Sequence, residues 1–197
     1  TCLERNLASS LIERVVLLNE KKGAPAAGAD ERIIGTRLTY KKVLEVAATF
    51  PPDVIVAFAN ADICIDDASW RQLCEVDLTD KFLALLRYDV PASGRTEDAT
   101  LFGPRADSQD TWVVRVADLQ KRSVPASLDF PFGRMGCDNA VAREMLRQKF
   151  TVVNPALSLK TWHFHASGKR NYDKDDVIER PTFHYVSPTG FHDLEPT

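Results

Sequence analysis

The sequence predicts an α/β layer fold, a largely parallel sheet flanked by helices in one domain. Short apolar runs alternate with segments whose apolar residues recur at helical spacing, the signature of strands connected through helices. Several of the runs (VVLL, VIVAFA, FLALL) are apolar on both faces, as in a sheet covered on both sides. The chain has 197 residues, 44% of them hydrophobic and 27% charged. That length suits one domain and buries enough surface for a core without disulfide or metal staples.

Residues 1–10 read as the end of a helix. Residues 13–19 (ERVVLLN) form a strand with a doubly apolar centre, and residues 21–30 a Gly/Ala/Pro loop. Residues 32–34 make a short strand. Thr39 caps a helix running to about Phe50, with Val43, Leu44, Val46 and Ala47 at helical spacing, and Pro51-Pro52 stops it. Residues 54–59 (VIVAFA) are apolar throughout and predict a central strand ending abruptly at Asn60-Ala61-Asp62. A short helix near residues 67–73, a buried strand at 82–87, a polar turn-rich stretch at 89–108 and a strand at 111–116 come next. Residues 118–136 read as irregular, 139–150 as an amphipathic helix, and 151–153 and 157–165 as the last strands. Residues 1–172 are expected to form the domain and 173–197 a loop-like tail.

Composition excludes several functions. Lys plus Arg is 25 and Asp plus Glu is 28, a net charge of −3, so no overall basic field gathers nucleic acid. The cysteines Cys2, Cys64, Cys74 and Cys137 form no CxxC pair and read as reduced structural thiols, which suits the cytoplasm. No apolar run approaches the roughly 20 residues of a membrane helix, and no signal peptide opens the chain. A start at Thr1, in what reads as mid-helix, suggests a piece of a longer multidomain chain.

Ligands of α/β folds bind beyond the carboxyl ends of the strands, which directs attention to the residues just past each strand. Asn60 and Asp62 end the strongest strand. A carboxylate there can hold a hard cation, or simply close an Asx turn. His163 and His165 stand two apart near the end of the last strand and so on one face, as metal ligands or as one packed and one exposed histidine. Asp138 comes after Gly133 and Gly136 where a helix starts. It can cap that helix, or face the site as a general base where the glycines let the backbone approach a ligand. Gln109 and Asp110, at the start of the strand at 111–116, can read hydroxyls or serve the loop. Among basic residues that could neutralise a diphosphate (Arg37, Lys160, Lys169, Arg170), Arg37 and Arg170 lie nearest element ends.

In order, VIVAFANAD, SQDTW, GRMGCDN and TWHFHASGKRN resemble the motifs of GT-A-type glycosyltransferases, over about residues 12–172. That resemblance implies a Rossmann-like, mixed but mainly parallel sheet. It implies sugar transfer from a nucleotide-sugar donor to a glycan acceptor hydroxyl with a divalent metal, Mn²⁺ or Mg²⁺, and with inversion if one base opposes the leaving group. Asp62, His163 and His165 would hold the metal, and Asp138 would be the base. Arg37, Asn60, Gln109, Asp110 and Arg170 would contact the donor. The chain departs from the pattern in three places. The family's first strand would precede Thr1, Asn60 replaces the first acid of the DXD motif, and Cys137 stands where many members carry Glu. The last two favour an alternative, a carbohydrate-binding domain with a degenerate site. A metal-dependent hydrolase built on Asp62 and the histidine pair is a further one.

Overall fold

The computed structural model describes residues 1–23, 27–164, 176–178 and 183–194. Helix α1 (Cys2–Ala8) lies at the start of the chain. Thr1 is its N-cap, its hydroxyl accepting from the Glu4 N–H at 3.2 Å. Strands β1 (Val16–Asn19) and β2 (Asp30–Ile33) pair in parallel as a separate two-stranded sheet. Helix α2 (Tyr40–Ala47) comes next, and the Thr39 hydroxyl accepts from the Lys42 N–H at 3.3 Å, the cap its sequence predicts.

The remaining elements alternate between two four-stranded sheets. Strand β3 (Ile55–Ala59) leads into β4 (Ile63–Ile65), then α3 (Asp67–Arg71) and a 3₁₀ turn. Strand β5 (Lys81–Leu85) leads into β6 (Tyr88–Asp89) and β7 (Thr100–Leu101). Strand β8 (Thr111–Arg115) is followed by α4 (Val116–Gln120), α5 (Cys137–Arg147), β9 (Thr151–Val153) and β10 (Thr161–His163). The main sheet has the order β3-β8-β5-β9 and the second β4-β10-β6-β7.

In the main sheet β8 is antiparallel to both β3 and β5, while β9 is parallel to β5. Three strands therefore share one direction, with β8 reversed between two of them. The architecture is mixed α/β. The largely parallel sheet expected from the sequence is replaced by one in which two of three neighbouring pairs are antiparallel. The reason is β8, which enters from the loop after β7 at the edge where β3 and β5 end.

The hydrophobic period of two sorts the core between the two faces of this sheet. Phe82, Ala84, Trp112 and Val114 pack with Tyr40, Leu44, Val141 and Met145 of α2 and α5 on one face. Leu83, Leu85 and Val113 pack with Trp70, Leu73, Leu159 and Leu194 on the other. Leu194 and Val186 carry the segment 183–194 into both halves of this core.

The VIVAFA strand is placed differently from expectation. It lies at the sheet edge, with Val56 and Phe58 turned to the core and Ile55 42% exposed. Small alanines at 57 and 59 make the outward face apolar by composition without giving it bulk to bury. The α4 helix and the short strands β4, β6 and β7 were not predicted: α4 falls where the sequence reads as strand end and irregular chain, and the three strands have two or three residues each in stretches rich in polar and turn-forming residues.

Candidate active site

Chain direction assembles the site. β3, β5 and β9 all end at one edge of the main sheet, where β8 begins. Helix α5 runs back over β9 through a tight turn at Lys149 (φ 68°), so its N-terminus returns to that same edge. Past the edge, the chain crosses into the second sheet from β3 to β4, from β5 to β6 and from β9 to β10. The junction between the sheets therefore receives Asn60 and Asp62 after β3, Arg87 and Asp89 after β5, Asp110 before β8, and His163 at the end of β10.

Strand register sets the contacts. Asp89 pairs with His163 across parallel β6 and β10, and His163 Nδ1 lies 2.8 Å from Asp89 Oδ1. Ile63 pairs with His163 across β4, which brings Asp62 alongside, with His163 Nε2 3.1 Å from Asp62 Oδ2. His163 is buried and Asp62 exposed. The Asp62 contact holds the imidazole above its usual range, while the histidine holds the Asp62 carboxyl below its own.

The β3–β8 ladder continues one step past its last strand pair, as the Asn60 N–H donates to the Asp110 carbonyl at 3.2 Å. Asn60 Nδ2 then donates to Asp110 Oδ1 at 3.0 Å. Arg87 donates from Nη1 to both Asp110 oxygens, at 3.1 and 2.9 Å, and from Nε to Asp89 at 2.8 Å. Its guanidinium also lies 3.9 Å from the centre of the Phe102 ring. Burial pushes Asp110 above the usual carboxylate range and Arg87 pulls it back.

Asp138 is not the cap of α5. Gly136 holds the cap position with a left-handed backbone (φ 84°), and Asp138 stands two residues inside the first turn. Its side chain turns away to the start of β8, where Oδ2 accepts the Gln109 backbone N–H at 3.3 Å. Oδ1 accepts from the Tyr40 hydroxyl at 3.2 Å and the Cys137 thiol at 3.3 Å. The residue is half-buried, yet its carboxyl is enclosed enough that desolvation, reinforced by the negative Asp110, pushes it up to about 7.

The other predicted residues divide. Arg37 lies at the rim, exposed, donating to the Phe132 carbonyl at 3.1 Å beside Gly133. Gln109 is 1% exposed, and its side-chain amide braces the Ala106 carbonyl, so it serves the site through its backbone N–H instead of reading a ligand's hydroxyl. His165 and Arg170 lie outside the described residues, as does Lys169. Arg87, Asp89 and Tyr40 were missed. The signal for the first two was an Arg-x-Asp triplet directly after a buried strand, which puts both side chains on one face.

The donor set fits a cation at Asp62 and His163 in part. Two ligand atoms about 2.1 Å from a metal and at right angles to each other sit about 3 Å apart, close to the 3.1 Å seen here. Asp89 on Nδ1 supplies the second partner that orients a ligating imidazole. Among the described residues no group of three His, Cys, Asp or Glu side chains is placed to hold a metal.

No family model, no curated protein and no solved structure matches this chain. No helix among the described residues is long and apolar enough to cross a membrane.

Proposed function

We propose that this protein transfers a sugar from a nucleotide-sugar donor to an acceptor hydroxyl, with Asp138 as general base and Asp62 and His163 as two ligands of a divalent cation. One observation carries the reading. Four chain segments that the motif order singled out, ending at Asp62, Asp110, Asp138 and His163, meet at one sheet edge, and each carboxylate there has a different environment.

That difference separates their roles. Asp110 is neutralised by Arg87 and fixed by Asn60, so it is structural and keeps the sheet edge in place. Asp62 is exposed and paired with an imidazole, which suits an oxygen ligand. Asp138 has no cationic partner among the described residues, and burial with the negative Asp110 pushes it up to about 7, the range in which a general base works best at neutral pH. A bound Mn²⁺ or Mg²⁺ would supply charge neutralisation to the donor's diphosphate. Arg37 at the rim offers a cation to the same diphosphate. His165 and Arg170 would add a ligand and a further cation.

The acceptor hydroxyl gives its proton to Asp138 as its oxygen attacks the anomeric carbon, and the nucleotide leaves on the opposite side, which inverts that centre. A thermal-shift screen of nucleotide sugars with and without Mn²⁺ tests the reading, since a bound donor raises the melting temperature. A donor that stabilises only with metal, and is slowly hydrolysed, supports it. Metal-dependent cleavage of glycans or phosphodiesters without any nucleotide sugar would replace it with a hydrolase. Sugar binding that ignores metal and gives no product would replace it with a binding domain.

A further inference from the structure

The two oxygens of Asp138 are not equivalent. Oδ1 accepts two hydrogen bonds, from Tyr40 and Cys137, and Oδ2 accepts one, from the Gln109 N–H. A carboxylate oxygen has two lone pairs, so Oδ1 is filled and Oδ2 keeps one free. Tyr40 is fully buried, and its ring is held by stacking on Phe132 (centroids 4.0 Å) and by an edge contact with Trp112 (5.2 Å). Its hydroxyl therefore has one direction to point, toward Asp138 Oδ1 and the Cys137 sulfur at 3.5 Å. A phenol hydroxyl removed from water needs such a partner, and a phenylalanine would fill the same space without that demand.

We propose that Tyr40 is a positioning residue for Asp138: its hydroxyl, with the Cys137 thiol, pins Oδ1 and leaves Oδ2 as the oxygen that takes the acceptor's proton. The assignment rests on Asp138 being the base of the proposed transfer. Both donors favour the charged carboxylate and oppose burial and the negative Asp110, the other ionisable group facing it. Without them Asp138 keeps its proton to higher pH and is a base only in more alkaline solution.

The test is the Asp138 titration followed by carbon-13 NMR of the side-chain carboxyl, with the pH profile of kcat/KM beside it. Tyr40→Phe keeps the ring and removes the hydroxyl. Its Asp138 midpoint should rise by about one unit, the low end for a hydrogen bond to a charged group. The acid limb of the rate profile should move with it while KM for the donor stays put. Cys137→Ala should raise the midpoint as well, and Cys137→Ser, a stronger donor, should lower it. An unmoved midpoint in folded Tyr40→Phe overturns the proposal. Should that variant not fold, equal midpoints for the two Cys137 variants overturn it instead. The titration needs no turnover, so midpoints that shift as stated in protein that transfers no sugar sustain Tyr40's hold on the Asp138 carboxyl and remove the transferase reading with the proton-accepting role of Oδ2.

Discussion

Replacing Asp138 by Asn should make the protein more stable, and increasingly so as pH rises. Burial and Asp110 lift the Asp138 carboxyl from an ordinary 3.8 to about 7. Below pH 4 the side chain is protonated in both folded and unfolded chains and contributes no pH dependence. Between about 4 and 7 the folded chain holds a proton that the unfolded chain releases, so stability falls with pH and levels off above 7. At 1.36 kcal/mol per unit the rise corresponds to a cost of about 4 kcal/mol at pH 8, an upper figure because the site relaxes when it ionises. Asp138→Asn removes that slope. It also adds a constant penalty of about 1 kcal/mol, because its amide nitrogen would face the Gln109 N–H in place of Oδ2. Urea unfolding of both proteins at pH 4.5 and pH 8 isolates the difference, since the constant part cancels. The stability gain of the variant should grow by about 2–4 kcal/mol between the two pH values. A gain that is the same at both would mean that Asp138 ionises at an ordinary pH, and a general base poised near neutrality would have to be sought elsewhere.

Asp62→Asn removes the carboxylate that raises His163, so the imidazole titration followed by proton NMR in metal-free protein should move down, and an unchanged or higher midpoint would contradict the pairing. Arg87→Met leaves Asp110 buried without its cation and should cost about 3–5 kcal/mol in urea unfolding at pH 8, with a smaller loss near pH 5 where Asp110 can take a proton; equal losses at both would refute it. Gly136→Ala forces a side chain into a left-handed backbone and onto the Phe183 ring, for a loss of about 2 kcal/mol or more, where an exposed glycine such as Gly35, with open space around it, should lose less. Asn154→Ala strands the Leu86 N–H and the Val186 carbonyl that its side chain joins, at 3.1 and 3.0 Å, and should cost about 2–4 kcal/mol and speed proteolysis of residues 183–194.

The long elements were legible because one periodicity and one stop signal defined each. Helix α2 has a Thr cap and a Pro-Pro stop, and strands β5 and β8 have unbroken apolar runs covered on both faces. The edge position of β3 was not legible. An apolar strand reads as doubly covered whether its outward side chains are leucines under helices or alanines facing water, and β3 has Ala57 and Ala59 there. The site showed the same division. Asn60, Asp62, Asp110, Asp138 and His163 could be named because each sits at the end of a recognisable element. Their contacts depended on β4 and β6, strands of three and two residues in a second sheet that no window of sequence distinguishes from loop. Whether Asp138 was a cap or a side chain aimed elsewhere turned on the left-handed backbone of Gly136, which moves the cap back by two residues.

Arg87 explains why four carboxylates near one sheet edge do not behave as four similar acids. It satisfies Asp110 with two hydrogen bonds and Asp89 with one, and the face of Phe102 shields it. Asp89 is thereby kept charged and can orient the imidazole of His163, which leaves Nε2 turned to Asp62. One cation thus commits two carboxylates to structure and one imidazole to a single orientation. The two acids left over differ in access and in partner. Asp62 is open to solvent and held below the usual range by His163, which suits the ligand role proposed for it. Asp138 is enclosed and raised, which suits the base role proposed for it. A lysine in place of Arg87 keeps the charge and loses the fork that reaches both Asp89 and Asp110, so Asp89 faces His163 with less neutralisation and Arg87→Lys should raise the His163 midpoint. An unchanged His163 midpoint in Arg87→Lys would mean that Asp89 orients the imidazole without help.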